Sequence, residues 1–223
     1  MKFFGVCGAV LATLVLGSTS KVCAEEPQTA LTANLAISTD YLFRFVSQTM
    51  EEPALSGGLD WSADNGFYLG VWGSNVDFGD DAHLEMDFYG GYAHKFESGW
   101  SVDAGVIDYE YFDDKTNDNI LEVFGSVGWG PASFSVYYEV EHGGYYWFEG
   151  SLEHGIGSVG LTATVGRLEP DQGSGYSGWS LAAGLPVSEF DLSLTWADTN
   201  GNGERQFGPV AESRVILSLA YEF

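Results

Sequence analysis

The chain has 223 residues, with 32 acidic against 8 basic side chains and a formal net charge of −24. A surface of that sign repels phosphate, which argues against a nucleic-acid partner. Thirty glycines, six prolines and a 15% share of aromatic residues are strand-and-turn material rather than helix material.

Met1–Ala24 reads as a secretory signal peptide. Lys2 supplies the positive charge, Phe3–Gly17 the apolar run, and Val22-Cys23-Ala24 the small-residue cleavage site. The run is too short to span a bilayer as a helix, which takes about 20 residues. Both cysteines, Cys7 and Cys23, fall in this segment, so the expected mature chain, 25–223, has no disulfide framework and no cysteine metal site. Lys2 and Lys21 also fall there, and no acidic residue does. The mature chain is left with 6 basic and 32 acidic side chains, a net charge of −26. No later stretch approaches the 18 consecutive apolar residues of a membrane helix.

From residue 31 onward the dominant pattern is alternation with period two. Leu31, Ala33, Leu35, Ile37, Tyr41, Phe43 and Phe45 form one expected face of the first segment, opposite Thr32, Asn34, Ser38, Asp40, Arg44 and Gln48. The alternation recurs around Leu84–Tyr92, Phe134–Val140, Val159–Val165 and Phe190–Trp196. Turn signals divide the chain into twelve predicted strands, at roughly 31–46, 54–63, 67–77, 83–94, 100–110, 119–129, 132–141, 145–153, 158–168, 176–186, 190–198 and 211–223. The connections "DNG" (64–66), "KFESG" (95–99), "GP" (130–131), "HGIG" (154–157) and "VSE" (187–189) are compact. "SQTMEEP" (47–53), "FDDKTNDN" (112–119), "EPDQGSG" (169–175) and "TNGNGERQFGPV" (199–210) are longer and more polar, while "HGG" (142–144) interrupts the alternation. Tight turns at one end and long loops at the other are the mark of an outer-membrane barrel.

The expected fold is therefore all-β: a closed antiparallel transmembrane barrel of about twelve strands, with both termini periplasmic. Lipid cannot satisfy a bare backbone group, so a sheet crosses a bilayer only when it closes on itself. Lipid-facing aromatics fit two interfacial girdles. Phe67, Trp100, Trp129, Phe134, Phe190, Tyr221 and Phe223 are expected at the periplasmic rim, and Trp179, Trp196, Tyr41 and Tyr146 nearer the other. Two strands are ambiguous. In the third, Tyr68 and Trp72 oppose Phe67, Leu69 and Val71. In the fifth, the apolar face passes from Trp100, Val102, Ala104 and Val106 to Ile107, Tyr109 and Tyr111, which calls for a bulge near Ile107 or an early exit from the membrane. The last strand, with Leu219, Tyr221 and a terminal Phe223, is the expected signal to the outer-membrane assembly machinery.

At "STDYLFRFVSQ" (38–48), "PALSGGLDW" (53–61), "GFYLGVWGSNVDF" (66–78) and "EMDFYGGY" (85–92) the sequence resembles the TorF family, proteobacterial proteins of unknown function. In that pattern a glycine often stands where Phe45 is here, and an arginine where Leu42 is. The resemblance implies an outer-membrane barrel with a transport role, and brings no catalytic residues with it.

The polar face then lines a lumen. Its candidates are Asp40, Arg44, Asp60, Glu85, Asp87, Asp103, Glu122, Glu139, Glu149, Arg167, Asp191 and Arg214. Acidic linings favour cations, so the first expectation is a porin-like channel for passive diffusion of small hydrophilic solutes, biased toward cations. The bland alternative is a plugged barrel in which Arg44, Arg167 and Arg214 tie the carboxylates together. Tyr68, Trp72, Tyr89 and Tyr137 would narrow the lumen on either view. A surface-interaction barrel using the acidic loops "FGDDAHLE" (78–85) and "FDDKTNDN" (112–119) is a further alternative. Neither loop has the spacing of a helix-loop-helix calcium site. A lipid-modifying enzyme is the remaining alternative. Its case is poor, because His83, His94, His142 and His154 accompany no nucleophile motif. Nothing in the pattern calls for a cofactor.

Overall fold

A computed structural model describes residues 29–112, 119–141 and 144–223. The expected signal peptide with Cys7 and Cys23, most of the acidic loop at 112–119, and His142 lie outside these residues.

Twelve antiparallel strands close into one barrel: β1 (Ala30–Ser38), β4 (Ala54–Ser62), β5 (Phe67–Asn75), β6 (Leu84–Lys95), β7 (Trp100–Phe112), β8 (Ile120–Trp129), β9 (Ala132–Glu139), β10 (Tyr145–Ile156), β11 (Val159–Pro170), β12 (Ser177–Val187), β13 (Phe190–Thr199) and β14 (Arg214–Glu222). Neighbours in sequence are neighbours in the wall. The ring closes where β1 pairs β14 on one side, Leu35 opposite Tyr221, and β4 on the other, Leu35 opposite Gly57. Every strand therefore has two partners, and the wall has no free edge.

The alternation fixes which way each side chain points. Leu31, Leu35, Ile37, Leu55, Leu59, Leu69, Val165, Leu181, Leu194, Val215 and Leu217 are all exposed on the outside. In a protein packed around a central apolar core they would be inside, so the outer surface here suits hydrocarbon rather than water. Aromatic rings edge this band at the short-turn end, where Phe67, Trp100, Trp129, Phe134, Phe190 and Phe223 are exposed. Phe67 meets Tyr92, and Tyr221 meets Phe223, edge to face at 5.2 and 4.7 Å between centroids. At the long-loop end Trp179 and Trp196 form a T-shaped pair at 4.9 Å.

The ambiguities of strands three and five resolve through the register. In β5, Tyr68 and Trp72 are buried inside while Phe67 and Leu69 are outside. In β7 the pairing with β6 runs unbroken from Leu84 opposite Phe112 to Lys95 opposite Ser101, so there is no bulge. Ile107, Tyr109 and Tyr111 continue the inner face begun by Asp103, and Asp108 and Glu110 point outward near the loop end, the position an early exit from the membrane requires.

The first strand departs furthest from expectation. It ends at Ser38, not near 46. The chain then leaves the wall and folds inward as a small hairpin, β2 (Leu42–Phe43) and β3 (Val46–Ser47), with Leu42 opposite Ser47. Tyr41 and Phe45, expected on the lipid face, are only 3% and 2% exposed and lie in the lumen. The long connection before β14 packs beside this hairpin. It holds one helix, α1 (Gly201–Phe207), capped by the Asn200 side chain on the amides of Asn202 and Gly203, followed by a 3-10 turn (Gly208–Ala211) that touches β3.

A charge placed mid-strand on the outer face should be costly and one inside should not. Leu194→Arg is expected to destabilise the fold by about 2–4 kcal/mol in phospholipid vesicles, measured by reversible urea unfolding, with Thr195→Arg costing clearly less.

Candidate functional site

The hairpin tip is the turn Arg44-Phe45, with φ values of 52° and 73°. Two consecutive residues in the left-handed region make the tight turn that suits strand twist, a place normally taken by Asn-Gly. Holding a bulky pair there costs about 1–2 kcal/mol per residue, so something must fix the tip from outside. That something is the far wall. In the ring order, β8 to β10 stand opposite β1 and β4, and the hairpin reaches across to them.

The Arg44 guanidinium donates from Nη2 to both oxygens of Glu122, each at 2.7 Å, and both side chains are buried. The Tyr109 and Tyr145 hydroxyls donate to the same carboxylate at 3.2 and 2.7 Å, and the Tyr176 hydroxyl donates to the Arg44 carbonyl at 3.1 Å. Burial opposes the Arg44 charge, and Glu122 more than offsets it, so the guanidinium is held protonated more firmly than in water. Phe45 packs on Trp147 at 5.7 Å, seated where Gly178 leaves no room for a Cβ. Trp147 in turn lies over Gly166, which has no room for one either. The hairpin base is tied as well. Asp40 accepts from Ser47 Oγ at 2.6 Å, from Thr49 Oγ1 at 2.9 Å and from Arg214 Nη1 at 3.0 Å. Arg214 also donates to the Pro209 carbonyl at 2.6 Å, linking the 3-10 turn to this base.

The lumen is thus asymmetric along its axis. Toward the loop end it is filled by the hairpin and by Tyr109, Trp147 and Tyr176. Toward the turn end many inner positions are small, among them Ser126, Ser135, Ser151, Ala182, Ser193 and Ser218, although Tyr68 also points inward there. It is asymmetric across its width too. Between the hairpin and β1, β4, β5, β13 and β14 lies a cavity of about 30 Å³ lined by hydroxyls of Ser38, Ser56, Ser74, Ser193, Thr195 and Ser218. That is room for about two water molecules.

Two further carboxyl groups face the hairpin. Glu85 accepts a long hydrogen bond, 3.4 Å, from the Tyr41 hydroxyl, and Asp87 is fully buried with no donor on either oxygen among the described residues. Burial first, then the neighbouring carboxyl groups of Glu85 and Asp87, hold the Tyr41 phenol protonated well above its usual range, which keeps it a donor.

A family model described as "Bacterial protein of unknown function (Gcw_chp)" matches residues 22–220. The chain belongs to that family. It is bacterial and of unknown function, as the four sequence blocks implied, although the matching family does not carry the name TorF. A search of curated proteins finds no match to this Gcw_chp chain. Solved structures match its fold. KdgM porin superposes with a TM-score of 0.59 at 10% identity, covering 86% of this chain and 99% of that one. A KdgM porin in complex with disordered oligogalacturonate gives 0.60 at 9% identity, covering 87% and 99%. NanC porin gives 0.56 at 10% identity, covering 87% and 99%. The Gcw_chp chain thus shares the closed twelve-strand barrel fold of these structures.

The sequence-derived lumen residues fall as follows. Glu85, Asp87, Asp103, Glu122 and Glu139 are buried on the inner wall, and Asp60, Glu149 and Asp191 are half-buried there. Tyr68 donates to Asp103 at 2.8 Å, Tyr89 donates to Asp60, and Trp147 Nε1 donates to Glu149 at 3.1 Å. Glu139 takes the amides of Glu141 and Gly144 at the loop end. Asp40 and Arg44 are in the lumen, but on the hairpin rather than the wall, and Arg214 joins them. Arg167 is a correction. It shares its parity with Val165, points outward, is half-exposed and pairs with Glu169 at 2.6 Å. The network that ties carboxylates together therefore uses Arg44 and Arg214 without Arg167. His83, His94 and His154 are exposed, the last two at the turn end.

Tyr109, Tyr145, Trp147, Tyr176 and Gly178 hold the hairpin and were not singled out as functional residues in the sequence. Their one sequence signal is inward parity at the loop end of their strands.

The latch predicts strong coupling. Glu122→Ala leaves a buried guanidinium unpaired, a loss of about 3–5 kcal/mol if the hairpin stays docked. Since the hairpin is free to swing out instead, the observed loss is capped at its docking free energy. A double-mutant cycle with Arg44→Met and Glu122→Gln, followed by thermal unfolding in detergent, should be strongly non-additive.

Proposed function

We propose that this Gcw_chp chain is an outer-membrane channel for passive diffusion of small hydrophilic solutes, biased toward cations, whose constriction is the inserted hairpin. The observation that carries the reading is a closed barrel, apolar outside and polar inside, crossed by one removable element. In this reading Met1–Ala24 is a cleaved signal peptide, both termini are periplasmic, and Leu219, Tyr221 and Phe223 address the assembly machinery. Outward placement of the last strand's apolar residues supports that role, with Phe223 64% exposed.

Cation bias rests on the inner charges. Among the named inner residues, nine carboxyl groups (Asp40, Asp60, Glu85, Asp87, Asp103, Glu122, Glu139, Glu149, Asp191) face two guanidinium groups (Arg44, Arg214). Asp40 and Glu122 are paired with Arg214 and Arg44, and those of the remaining carboxyl groups that stay ionised concentrate cations and repel anions. One similar structure, a KdgM porin, was solved with oligogalacturonate, a polyanion. The acidic interior here argues for solutes of the opposite charge or of none.

The docked hairpin favours a second reading, a plugged barrel with a structural or surface-interaction role. Planar-bilayer recordings of refolded protein separate the two. The channel reading expects ohmic unit conductance, a reversal potential showing Na⁺ favoured over Cl⁻, and a severalfold larger conductance when residues 42–47 are replaced by a short glycine turn. No conductance in either protein would establish the plug, and anion preference would remove the cation bias.

A further inference from the structure

Arg44 lies in more than an ion pair. Its Cζ is 4.5 Å from the ring centroid of Phe43, 5.2 Å from Trp147, 5.3 Å from Tyr145 and 5.5 Å from Tyr137. With Glu122 these rings make a box around a planar cation. Faces of aromatic rings attract a cation through their quadrupole, the more so away from water. Of the parts of this box, only Phe43 and the cation itself belong to the hairpin. Glu122 on β8, Tyr137 on β9, and Tyr145 and Trp147 on β10 belong to the barrel wall, and the hydroxyls of Tyr109 and Tyr145 already orient the carboxylate. The wall half of the box does not need the hairpin in order to exist.

The occupant, by contrast, is held under strain, with Arg44 and Phe45 both at positive φ. The box keeps the turn in place, rather than the turn making the box. We infer that this wall pocket is a binding site for small organic cations carrying a guanidinium or methylated ammonium group. Arg44 is its tethered occupant, and an incoming solute displaces it. Rings and one carboxylate suit a weakly hydrated, flat or bulky cation. A hard metal ion asks for a cage of oxygens instead. Displacement would free the hairpin tip and widen the lumen, which names both the solute class and the opening step of the channel proposed above. The opening step rests on that channel reading, and the binding does not.

The test uses refolded full-length chain in detergent, with methylguanidinium and tetramethylammonium chlorides as probes and sodium chloride at equal ionic strength as reference. Tryptophan emission is compared with that of a Trp147→Phe background, so that the change at Trp147 is isolated. Arg44→Ala vacates the box. It should show a saturable emission change with both organic cations and none with sodium. Wild type should need at least about tenfold more ligand, because a tethered competitor acts at an effective concentration in the millimolar range. Arg44→Ala/Glu122→Gln should lose the response. Should Arg44→Ala fail to refold, Arg44→Gly, which suits the positive φ, is the second vacated variant. A folded vacated variant with no saturable response overturns the inference, as does an equal response in the double variant. Conductance is read in parallel. If the vacated variant binds and no protein conducts, the cage stands and the channel reading falls. If the proteins conduct and the vacated variant does not bind, the cage falls and the channel reading stands.

Discussion

Closure of the sheet is the constraint on which the rest depends. A bilayer supplies no donors or acceptors, so each backbone amide and carbonyl must find its partner in a neighbouring strand. Pairing β1 with both β14 and β4 achieves that with twelve strands. It also fixes the interior. A ring of this size lies between the small barrels that their own side chains fill and the large ones that hold an open channel. Here the space toward the loop end is taken up by chain, fifteen residues between β1 and β4, while small hydroxyl-bearing residues line much of the remainder.

Once a piece of chain enters the lumen, the inner wall must offer it partners, and this reverses an ordinary expectation for barrels. Apolar side chains occur on both faces. Leu194 and Leu217 stay outside, while Ile107, Trp147 and Phe124 are buried within. The inner apolar residues cluster at the depth of the hairpin, as where Phe43 meets Tyr109 edge to face at 5.5 Å. The same packing explains why a charged residue is tolerated at the tip. Arg44 leaves water, but its charge meets a carboxylate and several ring faces at once, and its partner Glu122 is fully hydrogen-bonded.

Much of the wall was legible in the sequence. Strict alternation in Leu31–Ile37 or Phe190–Trp196, bounded by turn signals, leaves little choice of face, and the short turns mark one end of the barrel. Arg167 was legible too, since its parity with Val165 places it outside whatever its charge suggests. The hairpin was not. Tyr41, Phe43 and Phe45 prolong the period-two pattern past the point where the chain leaves the sheet, so the pattern carries on through a change of direction. No Asn-Gly marks the turn, and Arg-Phe at positive φ has no local signature, because contacts from strands far along the chain impose it. For the same reason Ile107 mimicked a bulge. An apolar inner residue makes sense only when the buried cluster it joins inside the lumen is known.

The position of the hairpin in the chain bears on how the molecule assembles. It is translated before the strands that receive it. Glu122 comes 78 residues after Arg44, and Tyr176 comes 132 residues after it. Contacts so distant in sequence form late, because the intervening chain must first be ordered. The cylinder therefore has to wrap around its own early segment and cannot admit it as a finished unit. The seating of Arg44 is therefore among the last contacts to form, once the chain that carries Glu122 and Tyr176 is in place around it.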